Sequence, residues 1–151
     1  MHGGWPQYAA DGGESLRYEI AGEADLVAAR DGARRLAGQL GFALGETTLI
    51  ATAITELGRN ILMYAGAGEI TMSVSRGGLR QGLEITARDR GPGIGNLRQA
   101  LQDGYSTSSG LGLGLPGVRR LVDEFTITSE AGSGTQVRIK KWLPVRQQRA
   151  S

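Results

Sequence analysis

The sequence predicts an α+β fold, a two-layer sandwich whose helices cover one face of a mixed, mostly antiparallel sheet. Three observations predict it. Short segments alternate apolar and polar residues at period two, as in Leu16, Tyr18 and Ile20 or Ile70, Met72 and Val74. Helical periodicities fall in groups between these segments rather than singly after each strand, as a parallel sheet would require. A chain of 151 residues makes one domain with a single core.

The elements follow in order. Residues 1–13 are Gly-rich and aperiodic and are expected to form a flexible arm, leaving a domain over 14–143 and a basic tail over 144–151. Leu16 to Ile20 is the first strand. From Asp25 to Leu40, Leu26, Ala29, Ala33, Leu36, Ala37 and Leu40 recur at three and four, a helix with Asp25 as N-cap and Gly41 as stop. A second helix runs from Glu46 to Tyr64, its seam Ile50, Ala53, Leu57, Ile61 and Tyr64, closed by Gly66 and Gly68. Ile70 to Val74, the turn GGLRQG and Leu83 to Ala87 make a hairpin. Residues 96–103 read as a short helix, followed by the loop GYSTSSGLGLGLPG and a helix opened by Pro116 with Val118, Leu121 and Val122 inward. Phe125 to Ser129, the turn EAGSG and Thr135 to Leu143 form the last hairpin.

Composition excludes whole classes of chemistry. There is no cysteine, hence no disulfide framework, thiol nucleophile or Cys-based metal site. The single histidine, His2, leaves no material for a His-centred triad or a multi-His metal site. Lys plus Arg is 17 against 15 acids, so the net charge is only +2, and the acid-free stretch after Glu130 reads as a solvated end rather than a specific nucleic-acid surface. No apolar run approaches the roughly 18 residues of a membrane span, so a soluble, cytoplasmic protein is expected. Glycine is the anomaly: 25 residues, with eight between Gly91 and Gly117, point to backbone that approaches something closely.

Four clusters carry chemistry. Glu56 and Asn60 lie one turn apart on the second helix, with Asn60 about 20° from the seam residue Ala53, so both are aimed beside the core. Asp89 ends a strand just before Gly91, Pro92 and Gly93, an acceptor suited to an exocyclic amine beside backbone that a flat ligand can approach. Gly110, Gly112 and Gly114 alternate with Leu111, Leu113 and Leu115 ahead of a helix, leaving N–H groups free for phosphate oxygens. No lysine makes this a Walker loop, and the strand–turn–helix context of a dinucleotide fingerprint is missing. Gly132, Gly134 and Thr135 at the last hairpin place a hydroxyl where it can sit beside Asp89.

In this order the segments ELGRN, DRGPGIG, GLGLGL and GSGT resemble the N, G1, G2 and G3 boxes of the GHKL (Bergerat-fold) ATPases. The longer runs ATAITELGRNILMYAG, LQDGYSTSSGLGLGLPGVRRLVDEF and GSGTQVRIKKWL resemble the RsbT-type serine/threonine kinases, relatives of the SpoIIAB-type anti-sigma kinases. The resemblance spans Asp25 to Leu143. It implies that Asn60 holds Mg²⁺ on the ATP phosphates, that Glu56 is the general base, and that Asp89 accepts from the adenine amine with Thr135 assisting. Gly91 and Gly93 would shape the adenine pocket, and Gly110, Gly112 and Gly114 would wrap the phosphates under a lid over Tyr105 to Ser109. Ile94, Thr107, Leu111 and Leu113 complete the nucleotide-binding set that it implies, and Arg30 falls where relatives meet a partner.

The function so implied is an ATP-dependent protein serine/threonine kinase acting on a STAS-domain partner in a partner-switching pathway that controls a sigma factor or stress response. A PP2C-type phosphatase is a further expected target, and a homodimer is left open. The competing expectations are a nucleotide-dependent binding switch, with catalysis secondary, and an anti-sigma factor. Gly58, inside the N-box helix, is expected to soften it by about 1 kcal/mol relative to alanine.

Overall fold

The computed structural model describes residues 15–92 and 114–144. The expected arm, the helix over 96–103, the lid and the tail beyond residue 144 lie outside them, as do Gly93, Ile94, Thr107, Gly110, Leu111, Gly112 and Leu113. The described elements are β1 (Ser15–Ile20), α1 (Glu23–Leu40), α2 (Leu44–Tyr64), β2 (Gly68–Gly77), β3 (Arg80–Asp89), α3 (Gly114–Leu121), β4 (Glu124–Glu130) and β5 (Gly134–Trp142). The strands form one sheet in the order β1-β2-β3-β5-β4, and every described pair is antiparallel.

Alternation decides which face of the sheet is dry. Ile70, Met72, Ile85, Val137 and Ile139 are buried toward α1 and α2, which supply Leu36, Ile50, Ile54, Leu57 and Ile61 to the same core. The opposite face is polar and tied by charge. Arg17 meets Glu69 at 2.8 Å, Arg138 meets Glu84 at 3.3 Å, and Lys140 reaches Glu84 and Glu124, each at 3.8 Å. Burial draws the Arg88 guanidinium below its ordinary value; Glu69 pulls it back up, and Arg138 and Arg90 lower it further.

The helix ends follow local chemistry. Gly22, in extended conformation, is the N-cap of α1, and Asp25 is not: one turn inside, its Oδ2 accepts the Ala21 N–H at 2.8 Å. The carboxylate therefore serves the helix start from within its first turn, where the dipole also favours it. Gly41 stops the helix with φ of 102°, and the Phe42 N–H reaches Ala37 O at 3.0 Å while its ring is buried, so a left-handed residue and an apolar anchor end α1 together. In α2 the hydroxyls of Thr48, Thr52 and Thr55 each donate to the carbonyl four residues back at 3.0 Å. Tyr64, expected in the seam, is half-exposed and borders the open space at that end of the sheet.

The hairpin between β2 and β3 turns on Gly78 and Leu79, with Gly78 at φ of 62°, as a two-residue loop of the type that needs glycine first. At this rim Trp142 lies over Gly77 and Gly82, where a Cβ would come within 2.9 Å of the indole. Its Nε1–H donates to Glu124 at 2.7 Å, and Arg80 stacks on the ring at 4.2 Å.

Gly58 has a packing role that corrects the expectation of a merely softened helix. It is buried where α1 crosses α2, and a Cβ there would run into the Leu26 side chain, itself 3% exposed. A larger residue pushes the helices apart and costs more than its helix propensity returns. Gly58→Val should therefore lower the unfolding free energy by about 2 kcal/mol, readable as a drop in denaturant midpoint.

Candidate functional site

One end of the sandwich carries a cleft between the last turns of α2 and the ends of β3 and β5. Leu57, Ile61, Ala87, Leu115 and Val137 form apolar walls, with Tyr64 at the mouth and Asn60, Asp89 and Thr135 as the polar groups. The cleft is mostly apolar with a few polar groups, as small-molecule sites are.

The strand register sets the carboxylate of the cleft. Asp89 is the last residue of β3, opposite Gly68 of β2 and Thr135 of β5. Its Oδ1 accepts the Gly91 N–H at 2.9 Å, which fixes the carboxylate, while no described residue donates to its Oδ2. Thr135 Oγ1 lies 2.8 Å from Ser129 Oγ, which also donates to Gly134 O at 3.2 Å. The expected pairing of Thr135 with Asp89 across two strands is what the register produces.

Three glycines let the backbone close around Asp89. A Cβ on Gly68 would strike Arg88 O and the Ile61 side chain, and one on Gly134, at φ of 96°, would strike Asp89 O. Gly91 packs against the C-terminal turn of α2, where a Cβ would come within 2.6 Å of Ala65 Cβ. The loop after β3 is tethered as well, because the Gly132 N–H donates to Pro92 O at 2.7 Å.

Glu56 and Asn60 stand on successive turns of α2, as their spacing requires. Asn60 lines the cleft, half-buried, and its amide makes no hydrogen bond to a described residue. Glu56 sits just behind it, 7% exposed. Its Oε1 accepts the Gly114 N–H at 3.3 Å, and its Oε2 lies 3.6 Å from Arg59 Nη1. Gly114, at φ of 67°, opens α3, so the segment that follows the glycine-rich loop touches the glutamate directly.

The structure thus brings Glu56, Asn60, Asp89, Gly91, Gly114 and Thr135 to one end of the fold. Arg30 stands apart on α1, its Nε buried with no hydrogen-bond partner and Asp31 at 3.9 Å. Sequence reasoning assigned Leu57 and Ile61 to the core and not to the cleft, and it gave no part to Arg59, Ser129 or Gly68. Among the described residues no cluster of three or more His, Cys, Asp or Glu could hold a metal by itself.

Residues 45–147 match the family of histidine kinase-, DNA gyrase B- and HSP90-like ATPases. The chain belongs to that ATPase family. Within it, the chain is 50% identical over 124 residues to serine/threonine-protein kinase RsbT of Bacillus subtilis, covering 82% of this chain and 93% of that one. It is 33% identical over 114 residues to an anti-sigma F factor of Halalkalibacterium halodurans, covering 70% of this chain and 75% of the relative. These matches bear out the expectation of an ATP-using serine/threonine kinase related to anti-sigma factors. The fold also recurs in the RsbU and RsbW domains of a Mycobacterium tuberculosis protein, with a TM-score of 0.58 and 20% identity over 86% of this chain and 33% of that one. It recurs in the SiaB–SiaC complex of Pseudomonas aeruginosa, with a TM-score of 0.52 and 13% identity over 85% of this chain and 89% of that one.

Gly134 is the most constrained position around the cleft, since both its φ and its contact with Asp89 O exclude a side chain. Gly134→Ala should cost about 2 kcal/mol or more in thermal stability. Nucleotide affinity should fall with it, measured by calorimetry at a temperature where the variant remains folded.

Proposed function

We propose that this ATPase-family chain transfers the γ-phosphoryl group of ATP to a serine or threonine hydroxyl of a STAS-domain protein, with Glu56 as general base. The observation that carries the reading is the convergence, in one end of the fold, of a buried carboxylate, an amide one turn away and a strand-end carboxylate oxygen, the last two without a hydrogen-bond partner among the described residues.

The parts divide the work by chemistry. Asp89 Oδ2 accepts a hydrogen bond from the adenine amine, and the apolar walls exclude water from the faces of the base. Thr135 supplies a hydroxyl at the same edge, oriented by Ser129. The side-chain oxygen of Asn60 is a hard, neutral ligand of the kind Mg²⁺ accepts alongside phosphate oxygens, and its lack of a partner among the described residues fits that use. Bound there, Mg²⁺ would offset the charge of the phosphates. By the resemblance, the backbone of Gly110, Gly112 and Gly114 would serve the phosphate tail, and Gly93, Ile94, Thr107, Leu111 and Leu113 would complete the nucleotide site.

Transfer then asks the protein mainly for position. The partner's hydroxyl oxygen forms the new P–O bond as the bond between the γ-phosphorus and the bridging oxygen breaks. The hydroxyl proton passes to the Glu56 carboxylate, and ADP leaves with the bridging oxygen. Arg30, half-buried on α1, offers the accessible part of its guanidinium to the docked partner. After transfer the chain is free to engage a second partner, for which a PP2C-type phosphatase is the proposed class. The 33% identity with an anti-sigma F factor favours one other reading, in which nucleotide-dependent sequestration of a partner is the main output.

Glu56→Gln should reduce transfer of labelled γ-phosphate to a STAS-domain substrate by about 10²–10⁴-fold while ADP binding is retained; equal transfer by the variant overturns the assignment of the base. Asp89→Asn places a donor opposite the adenine amine and should weaken ATP and ADP alike, by about 10- to 100-fold in a titration.

A further inference from the structure

A carboxylate that is nine-tenths buried has to be compensated, because burial disfavours its charge. Glu56 has two compensating contacts, one on each oxygen. The Gly114 N–H addresses Oε1 at 3.3 Å, and the Arg59 guanidinium addresses Oε2 at 3.6 Å. Arg59 is the only cation paired with Glu56 among the described residues. At this spacing on an open helix surface such a pair would be a weak ornament, but here the acid's side chain is 9% exposed while the arginine's is 37% exposed. The pair therefore reaches from the helix packing outward to the solvent side.

We infer that Arg59 is a positioning residue for Glu56, holding the Oε2 edge of its carboxylate and offsetting its charge against the terminal phosphate of a bound nucleoside triphosphate. The inference rests on the reading that Glu56 faces that phosphate. A glutamate poised to take a proton beside a γ-phosphate is a like-charge neighbour of its own substrate. A cation on the far oxygen relieves the repulsion while leaving the other lone pairs available for the proton. A guanidinium suits this place, because its planar fork of five N–H donors can face a carboxylate edge and still offer donors to a phosphate oxygen. Both contacts are longer than ideal hydrogen bonds, as pairs that tighten on substrate binding commonly are. The diphosphate lacks the group that Glu56 would repel, so the effect of Arg59 should distinguish ATP from ADP.

A binding cycle tests this in the full chain. Magnesium-loaded ATP and ADP are titrated by calorimetry into the wild type, Arg59→Met, Arg59→Lys, Glu56→Gln and the Glu56→Gln/Arg59→Met double variant. Arg59→Met should weaken ATP by about tenfold and leave ADP unchanged, and Arg59→Lys should recover part of the loss. In the double variant the ATP loss should vanish, because no charge remains to offset. Single-turnover transfer at saturating ATP should also slow in Arg59→Met. The inference is overturned if ATP and ADP weaken equally, if the ATP loss persists without the Glu56 charge, or if Arg59→Met transfers at the wild-type rate. Full transfer by Glu56→Gln together with a vanishing ATP loss in the double variant would remove the general-base role and leave the charge-offset role of Arg59 standing.

Discussion

Holding a charged carboxylate out of water is the constraint around which this end of the molecule is arranged. Glu56 is buried where α2 meets the first residue of α3, and the contacts that answer it come from two directions. One is a side chain on its own helix; the other is a backbone N–H that exists in the right place only when α3 begins there. The requirement for φ above zero at Gly114 belongs to the same arrangement, since it turns the chain into α3 directly over the glutamate. Helix packing, loop entry and the chemistry of the acid are thus one structural fact.

Around Asp89 the limiting quantity is space. The strand end is closed on two sides by β2 and β5, and the loop after it packs on the end of α2; each approach uses a glycine, Gly68 opposite Asp89, Gly134 against its carbonyl and Gly91 against Ala65. Side chains there would strike backbone atoms, which cannot turn away as a flexible side chain can. Part of the glycine excess is accordingly spent on letting main chain touch main chain next to the Asp89 carboxylate, in addition to any approach to a ligand.

Much of this was legible in the sequence, and the reasons differ by element. The strands announced themselves through period-two alternation, because one face of the sheet is dry and the other carries ion pairs. The helices followed from three-and-four spacing, and Gly41 was readable because a left-handed stop needs glycine. Asp25 was misplaced by one turn, since a carboxylate serves a helix start equally well as cap or from inside it. Leu57 and Ile61 were indistinguishable from core residues, as the periodicity that buries a side chain against a sheet also lines a cleft at the sheet's end. Gly58, Gly68 and Gly134 were readable as a softened helix, a helix stop and a turn, but not as close-packing positions, because that need is set by a partner element far along the chain. Arg59 was passed over for a related reason: a charge three residues from an acid resembles a solvated pair until the acid is found buried.

Trp142 lies at the other rim. It pairs with Gly82, seven residues along β3 from Asp89, so about 23 Å of strand separates the indole from the cleft. Its ring is held flat by Gly77 and Gly82, pinned by Glu124 and flanked by Arg80 and Lys140. That arrangement makes it an intrinsic fluorophore coupled to the integrity of the hairpin rim and remote from the cleft. With Trp5, the other tryptophan, replaced by phenylalanine, its emission would report whether the sheet is intact, independently of what the other end of the molecule is holding.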